Sequence, residues 1–233
     1  LQQTYPKRLV GLVHTLPRGG PPALHELERA VKDLELKGVA ITAQPEGKPI
    51  DDSQLWPFYE KVQELGVPIY IHCSTKGLTG FPALDAPYRL DSVLGWEMEL
   101  MTATTRLIMG GVLEDFPELK IVISHFGGGI ASIMERLAGS RAGPGPSGPP
   151  SKKMKKSFRE YINLMYFDMA GFVGAMGPVQ CFLTALRPQQ LVFGTDYPYN
   201  FYNKSGEIKN YIENIRTLNL PQAVKEDMLG GTA

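Results

Sequence analysis

With 233 residues, 43% of them apolar and 21% charged, the chain is long enough for one sizeable α/β domain with a buried core. Lys plus Arg (24) equals Asp plus Glu (24), so no net field draws it to nucleic acid or to an anionic membrane. No apolar run nears the roughly 20 residues of a membrane span, no signal peptide is visible, and Cys73 and Cys181 fit no disulfide framework, as expected of reduced thiols in a cytoplasmic protein.

Strands and helices alternate along the chain. RLVGLVHTLP (8–17) predicts a strand and turn, and PALHELERAVKDLEL (22–36) a helix with Leu24, Leu27, Val31 and Leu34 on one face and Gly38 as its stop. GVAITAQPEG (38–47) is the next strand. DDSQLWPFYEKVQEL (51–65) is a helix that starts on Asp capping residues and ends before Gly66, and VPIYIHCS (67–74) is again a strand. A helical stretch over 91–114 carries Leu94, Met98, Met101, Ile108 and Val112 as a packing stripe. Strand 119–125 leads into a helix containing IASIMERL (130–137). GSRAGPGPSGPP (139–150) is a surface loop, and the basic SKKMKKSFR (151–159) a solvated helix start. After INLMYFDMAG (162–171) come a helix near 174–186, strand 190–196 and a last helix over 206–217.

Six such units without internal repeat predict a single domain over residues 1–233. It is built on a parallel sheet with right-handed crossovers, and its strands are apolar enough to be buried on both faces. Six units fit either a doubly wound open sheet or a (β/α)8 barrel lacking its first two strands. The chain opens at Leu1 without Met and stops at GGTA, so truncation at both ends is expected.

Three of the strand ends carry His72, His125 and Asp196, at the sheet edge where α/β proteins build their sites. His72 shares the face of Tyr70, while Ile71 and Cys73 turn to the helices. Alone, a strand histidine is more often a hydrogen-bonded core residue than a ligand. His125 runs into Phe126 and three glycines, which serve a close backbone approach or a tight turn; its imidazole suits a general base or a polariser of bound water. Asp196 in GTDYP follows an apolar run, so its carboxylate needs a partner: a metal, an imidazolium or a backbone turn. Asp168, Glu46 and His14 are further strand-end polar residues, candidates for the pocket mouth or for turn caps, and His25 is a surface residue. HFGGGIAS lacks the Lys-Ser/Thr of a phosphate loop, and no GxGxxG follows a first strand.

The motifs PKRLVGLVHTLP, IYIHCS, RLIMGGVLEDFPELKIVISHFGGG, MERL, YFDMAG and LVFGTDYP, in this order over about residues 6–233, closely resemble the amidohydrolase-related family. They are most similar to its branch around aminocarboxymuconate semialdehyde decarboxylase and the non-oxidative hydroxybenzoate decarboxylases. The resemblance implies a distorted TIM (β/α)8 barrel, with strands 3–8 present here and strands 1–2 missing. It also implies one divalent metal, Zn2+ with Mn2+ as the alternative. By match to the motifs, His72 is a metal ligand, Asp196 binds the metal and handles a proton, and His125 is the catalytic imidazole. Arg136 in MERL falls where members carry an arginine that supports the site; His14, taken from its strand-end position and not from the resemblance, is a candidate substrate contact. Two features depart from the family. The HxH or ExH pair of its first strand is absent, and Gly128 stands where benzoate-type decarboxylases carry an acid.

The expected function is non-oxidative decarboxylation of a small aromatic or muconate-like acid. The alternatives are metal-dependent hydrolysis of an ester, lactone or amide, and an inactive barrel that binds a ligand. The expected partner is a small-molecule substrate, with neither nucleic acid nor membrane and with a homodimer as the candidate assembly.

Overall fold

The computed structural model describes residues 1–74, 84, 88–139, 154–199, 201 and 205–232. Its centre is a six-stranded sheet of β1 (Val13–His14), β2 (Val39–Thr42), β3 (Ile69–His72), β4 (Ile121–Ile123), β5 (Met165–Asp168) and β6 (Leu191–Val192). Neighbours pair in parallel and in chain order, β1 through β6, with β1 and β6 as the two edges. A doubly wound sheet requires a reversal of strand order, and none occurs here. Sequential right-handed crossovers instead return every helix to the same face, the winding of a barrel. The sheet is therefore α/β and barrel-like but not closed.

Burial follows the strand period of two. Val39 and Ile41, Ile69 and Ile71, and Met165 and Phe167 are all buried on the helix side, whereas Ala40, Thr42, Tyr70, Tyr166 and Asp168 are only half-buried. The expectation of burial on both faces holds for β4 and β6, which are buried throughout, and not for β2, β3 and β5, where the second face opens onto a cavity of about 410 Å³ lined by Tyr70, Val122, Tyr166 and Val192.

The helix layer supplies the core. α1 (Gly20–Lys32) buries Leu27 and Ala30; α2 (Trp56–Leu65) buries Phe58, Tyr59 and Val62; α3 (Trp96–Met109) buries Leu100, Ala103, Leu107 and Ile108. A short α4 (Val112–Asp115) follows. Asp52 accepts from the Gln54 amide, and Gly66 closes α2 at φ 68, both as the sequence predicts.

Several element bounds differ from expectation. The predicted strand 8–17 contracts to Val13–His14, because as an edge it pairs only with Val39 and Ala40; Leu9, Val10, Leu12 and Leu16 are exposed. α1 stops at Lys32 rather than at Gly38. Gly38 serves packing instead, since a Cβ there would lie 3.1 Å from the Pro68 carbonyl oxygen. The stretch 91–114 is broken into a π-turn (Asp91–Gly95), α3 and α4, and its stripe is rotated: Leu94 and Met98 are exposed. The loop predicted at 139–150 lies, beyond Gly139, outside the described residues.

Candidate metal centre

His72 closes β3 on the open face, as the alternation Ile69, Tyr70, Ile71, His72 demands. His125 follows β4 after Ser124, and Asp196 stands four residues beyond β6. Parallel neighbours bring the three together. His72 Nε2 lies 4.0 Å from Asp196 Oδ1, and His125 Nε2 lies 4.0 Å from Asp196 Oδ2. The imidazoles meet edge to face, with centroids 5.1 Å apart at 85°, and one ligand atom from each of the three residues lies within 4.8 Å of the others. Separations of 4.0 Å are too long for direct hydrogen bonds and leave room for one small cation between the groups.

The hydrogen bonds around the rings fix what each presents. His72 Nδ1 lies 3.1 Å from the Cys73 carbonyl oxygen and 3.3 Å from the Cys73 Sγ; the carbonyl can only accept, so that contact is a hydrogen bond when Nδ1 carries the proton. His125 Nδ1 donates to Glu97 Oε1 at 3.1 Å. Both rings therefore turn Nε2 toward the Asp196 carboxylate. His125 is 3% exposed, and its Nε2 is buried without a hydrogen-bond partner. The His72 Nε2 lone pair and the Asp196 carboxylate can hold a divalent ion with His125 Nε2 facing the same point, and backbone carbonyl and carboxylate partners orient the two imidazoles from behind. Residues of this kind fit the metal that the resemblance implies.

Burial presses His125 toward its neutral form. The Glu97 hydrogen bond and the charges of Glu97, Asp168 and Asp196 outweigh it, and the pKa stands above the ordinary imidazole value. At Cys73, burial first and then the charges of Glu99, Glu97 and Asp196 push the thiol up to about 12.

The backbone that holds His125 is unusual. His125, Phe126, Gly127, Gly128 and Gly129 all have positive φ, from 53 to 76, and form one left-handed turn where the sequence predicted only a tight connection. Gly127 and Gly128 face protein, whereas Gly129 meets open space: a Cβ on Gly128 would lie 1.9 Å from the Glu97 carbonyl oxygen, and one on Gly127 2.8 Å from the Phe167 ring. α3 is thereby drawn against the turn, which puts Glu97 beside His125. The same contact explains why no acid stands at residue 128. Asp168 Oδ1 accepts from the amides of His125 (2.8 Å) and Ala170 (3.0 Å), so it acts as the cap of this turn.

Other predicted residues are placed elsewhere. Glu46 pairs with Arg18 at 3.3 Å. His14 is exposed and level with Ala40, two residues short of the Thr42–His72 level, and Arg136 is exposed on the helix Met134–Gly139. Neither lines the cavity of about 460 Å³ that opens beside Glu97, His125 and Asp196. His25 is exposed, as expected.

Sequence reasoning missed Glu97 and Glu99, which lie within the predicted helical stretch 91–114 and belong to no motif. Glu99 is 1% exposed; it accepts from Gln44 Nε2 at 2.9 Å and from the Ser74 amide at 2.8 Å, tying the ends of β2 and β3 to α3. Its signal was present: Glu99 stands four and eight residues before Ala103 and Leu107, in register with the buried stripe.

Comparison with known proteins sets this geometry in context. The family model described as Amidohydrolase matches residues 2–233. A 2-amino-3-carboxymuconate-6-semialdehyde decarboxylase from Dictyostelium discoideum is 29% identical over 238 residues, covering 98% of this chain and 60% of the relative. The chain thus spans about 60% of the length of the curated relatives it matches first. The crystal structure of a 5-carboxyvanillate decarboxylase from Sphingomonas paucimobilis is similar with a TM-score of 0.84 and 25% identity over 99% of this chain and 67% of that one. A dihydroxybenzoic acid decarboxylase from Polaromonas, solved with bound manganese and an inhibitor, shares the fold with a TM-score of 0.77 at 22% identity, over 99% of this chain and 69% of its own.

Proposed function

The chain belongs to the amidohydrolase family, and from that premise we propose that it performs metal-dependent, non-oxidative decarboxylation of a small aromatic or muconate-like carboxylic acid. One observation carries the reading: His72, His125 and Asp196 converge with the buried His125 Nε2 lacking any hydrogen-bond partner. Relatives named as decarboxylases of carboxymuconate, resorcylate and carboxyvanillate acids point to the same reaction class.

His72 and Asp196 would hold the ion, Mn2+ or Zn2+. Bound there, the metal supplies Lewis acidity that polarises an oxygen of the substrate. The remaining work falls to the side chains. Glu97 fixes the His125 ring with Nε2 toward the reacting end. Asp196 and His125 carry the proton that replaces CO2: a C–H bond forms at the carbon that bore the carboxylate, the C–C bond breaks, and its electron pair returns to the carbon skeleton. Trp96 and Phe172 line the adjoining cavity and offer flat apolar surface to the substrate. No described helix is long and apolar enough to cross a membrane. A cytoplasmic enzyme acting on a free small molecule, with a homodimer as the assembly to test by light scattering, completes the proposal.

The test uses the full-length protein loaded with Mn2+ or Zn2+ and incubated in D2O with 2,6-dihydroxybenzoate, 5-carboxyvanillate and muconate acids. Release of CO2 with deuterium at the vacated carbon is the expected result. Metal-loaded protein that releases no CO2 from any of these acids but cleaves esters or lactones would instead make it a hydrolase.

A further inference from the structure

Two carboxylates in the first turn of α3 reach the two histidine-bearing strand ends. Glu97 meets His125 Nδ1 directly, at 3.1 Å. Glu99, two residues on, meets the end of β3. It is buried, and each of its oxygens takes one neutral donor: Oε1 the Gln44 side-chain amide at 2.9 Å, Oε2 the Ser74 backbone amide at 2.8 Å. A carboxylate accepts at both atoms, whereas an amide of the same length would set its own NH2 against one of the two donors. Burial of the charge is unfavourable, and no step of the chemistry above uses it.

What Glu99 grips is one peptide group. The Ser74 N–H and the Cys73 carbonyl belong to the same planar unit, and that carbonyl oxygen lies 3.1 Å from His72 Nδ1. Glu99 therefore sets the plane from one side, and the His72 ring meets it on the other. The circuit closes through the neighbouring strand. The Ala43 amide donates to the His72 carbonyl at 2.8 Å, and Gln44, the next residue, donates to Glu99. Half of the His72 side chain is exposed, so packing alone does not orient the ring.

We propose that Glu99 is a positioning residue of the metal centre: through the Cys73–Ser74 peptide it orients the His72 ring with Nε2 toward Asp196, and so sets how tightly a divalent cation is held. The inference rests on the metal-dependent reading of the site and adds the residue that aligns one of its ligands. A carboxylate on the Ser74 N–H polarises the peptide, which makes the Cys73 carbonyl a stronger acceptor for Nδ1–H and His72 Nε2 a stronger electron-pair donor. Groups that stand behind a ligating histidine in this way change metal affinity by about 10–100-fold.

Mn2+ and Co2+ are the probes, titrated into the full-length metal-free protein, with affinity read by calorimetry and Co2+ coordination by its visible absorption. Glu99→Gln is expected to bind both ions about 10–100-fold more weakly than the wild type and to change the Co2+ spectrum. Combining Gln44→Glu with Glu99→Gln keeps both hydrogen bonds, because the amide oxygen at position 99 accepts from Ser74 while its NH2 donates to the carboxylate at position 44. The pair is expected to regain most of the affinity and the wild-type spectrum. Nitrogen NMR of the metal-free wild type, which needs no variant, is expected to show the neutral His72 ring protonated at Nδ1. Wild-type affinity and spectrum in a folded Glu99→Gln, a folded pair as weak as the single variant, or a neutral His72 protonated at Nε2 each overturns the positioning role and leaves the metal centre standing. Failure of the wild type to bind either ion overturns it together with the reading it rests on.

Discussion

Replacing Gly128 by alanine tests the packing that joins α3 to the left-handed turn. Gly128 and Gly129 have nearly the same backbone, φ 69 and 76, but different surroundings. A Cβ at 129 meets nothing within 4 Å, whereas a Cβ at 128 would lie 1.9 Å from the Glu97 carbonyl oxygen and 2.8 Å from its carbonyl carbon. Gly129→Ala therefore costs only the left-handed conformation, about 1–2 kcal/mol. Gly128→Ala adds the separation of two backbones from 1.9 Å to the 3.4 Å at which ordinary contact begins. Overpacking of that kind costs about 1–3 kcal/mol more, giving a total of about 2–5 kcal/mol. Urea unfolding followed by circular dichroism gives both values, and the difference between the variants cancels the shared conformational cost. Because α3 also carries Glu97, metal affinity is expected to fall in Gly128→Ala and to hold in Gly129→Ala. If the two variants unfold within about 0.5 kcal/mol of each other, the error expected for an independent pair, the close approach of turn and helix is wrong.

His72→Ala is expected to abolish stoichiometric metal binding, while His125→Ala keeps the metal and loses turnover by about 10² or more, the usual loss for a general acid or base; inductively coupled plasma analysis and CO2 release read the two effects separately. Glu97→Gln removes the charge and turns the charge-assisted hydrogen bond that holds the His125 pKa up into a neutral one, so in metal-free protein the His125 resonance should titrate at lower pH than in the wild type. A raised folded pKa contributes stability that is complete below the unfolded value near 6.5 and is lost as pH rises through the folded pKa, so Glu97→Gln should flatten that decline in urea midpoints. Cys73, buried and pushed up to about 12, should resist iodoacetamide at pH 8, where about one thiol in 10⁴ is ionised, while the half-buried Cys181 reacts first; mass spectrometry of the alkylated native protein distinguishes them.

The strand ends were legible because alternation and apolar runs constrain them strongly. His72 falls on the Tyr70 face by parity alone, and parallel pairing of β3, β4 and β6 through the sheet makes a common edge for His72, His125 and Asp196. Strand lengths were less legible, because a two-residue strand such as Val13–His14 is defined by what pairs with it and not by its own composition. The choice between an open doubly wound sheet and a barrel was likewise closed to composition. It depends on strand order, and the sequential order of β1 to β6 decides it. The residues behind the site escaped for a different reason. Glu97 and Glu99 act through distances set by α3, which is positioned by a contact between Gly128 and a carbonyl group thirty-one residues earlier, and no local pattern encodes such a contact.

Backbone conformation and an unmet side-chain atom coincide at His125. His125 and Asp196 both have positive φ, 53 and 56, although neither is glycine or asparagine. Such residues cost of order 1–3 kcal/mol each and persist only where the surroundings over-determine them. At His125 the restraints are visible: Asp168 accepts its amide, Glu97 holds its ring, and the absence of a Cβ on Gly171 lets the following loop pass over the imidazole, where a Cβ would lie 2.6 Å from its Cγ. A histidine kept only for packing would gain nothing from this arrangement, because the same restraints leave Nε2 buried with no hydrogen bond. Desolvating that nitrogen is unfavourable unless something binds it. Strain in the backbone and an unmet acceptor in the side chain thus meet in one residue, directed at the carboxylate of the second strained residue, Asp196. That coincidence favours a cation or a transferable proton at their common point over any purely structural role.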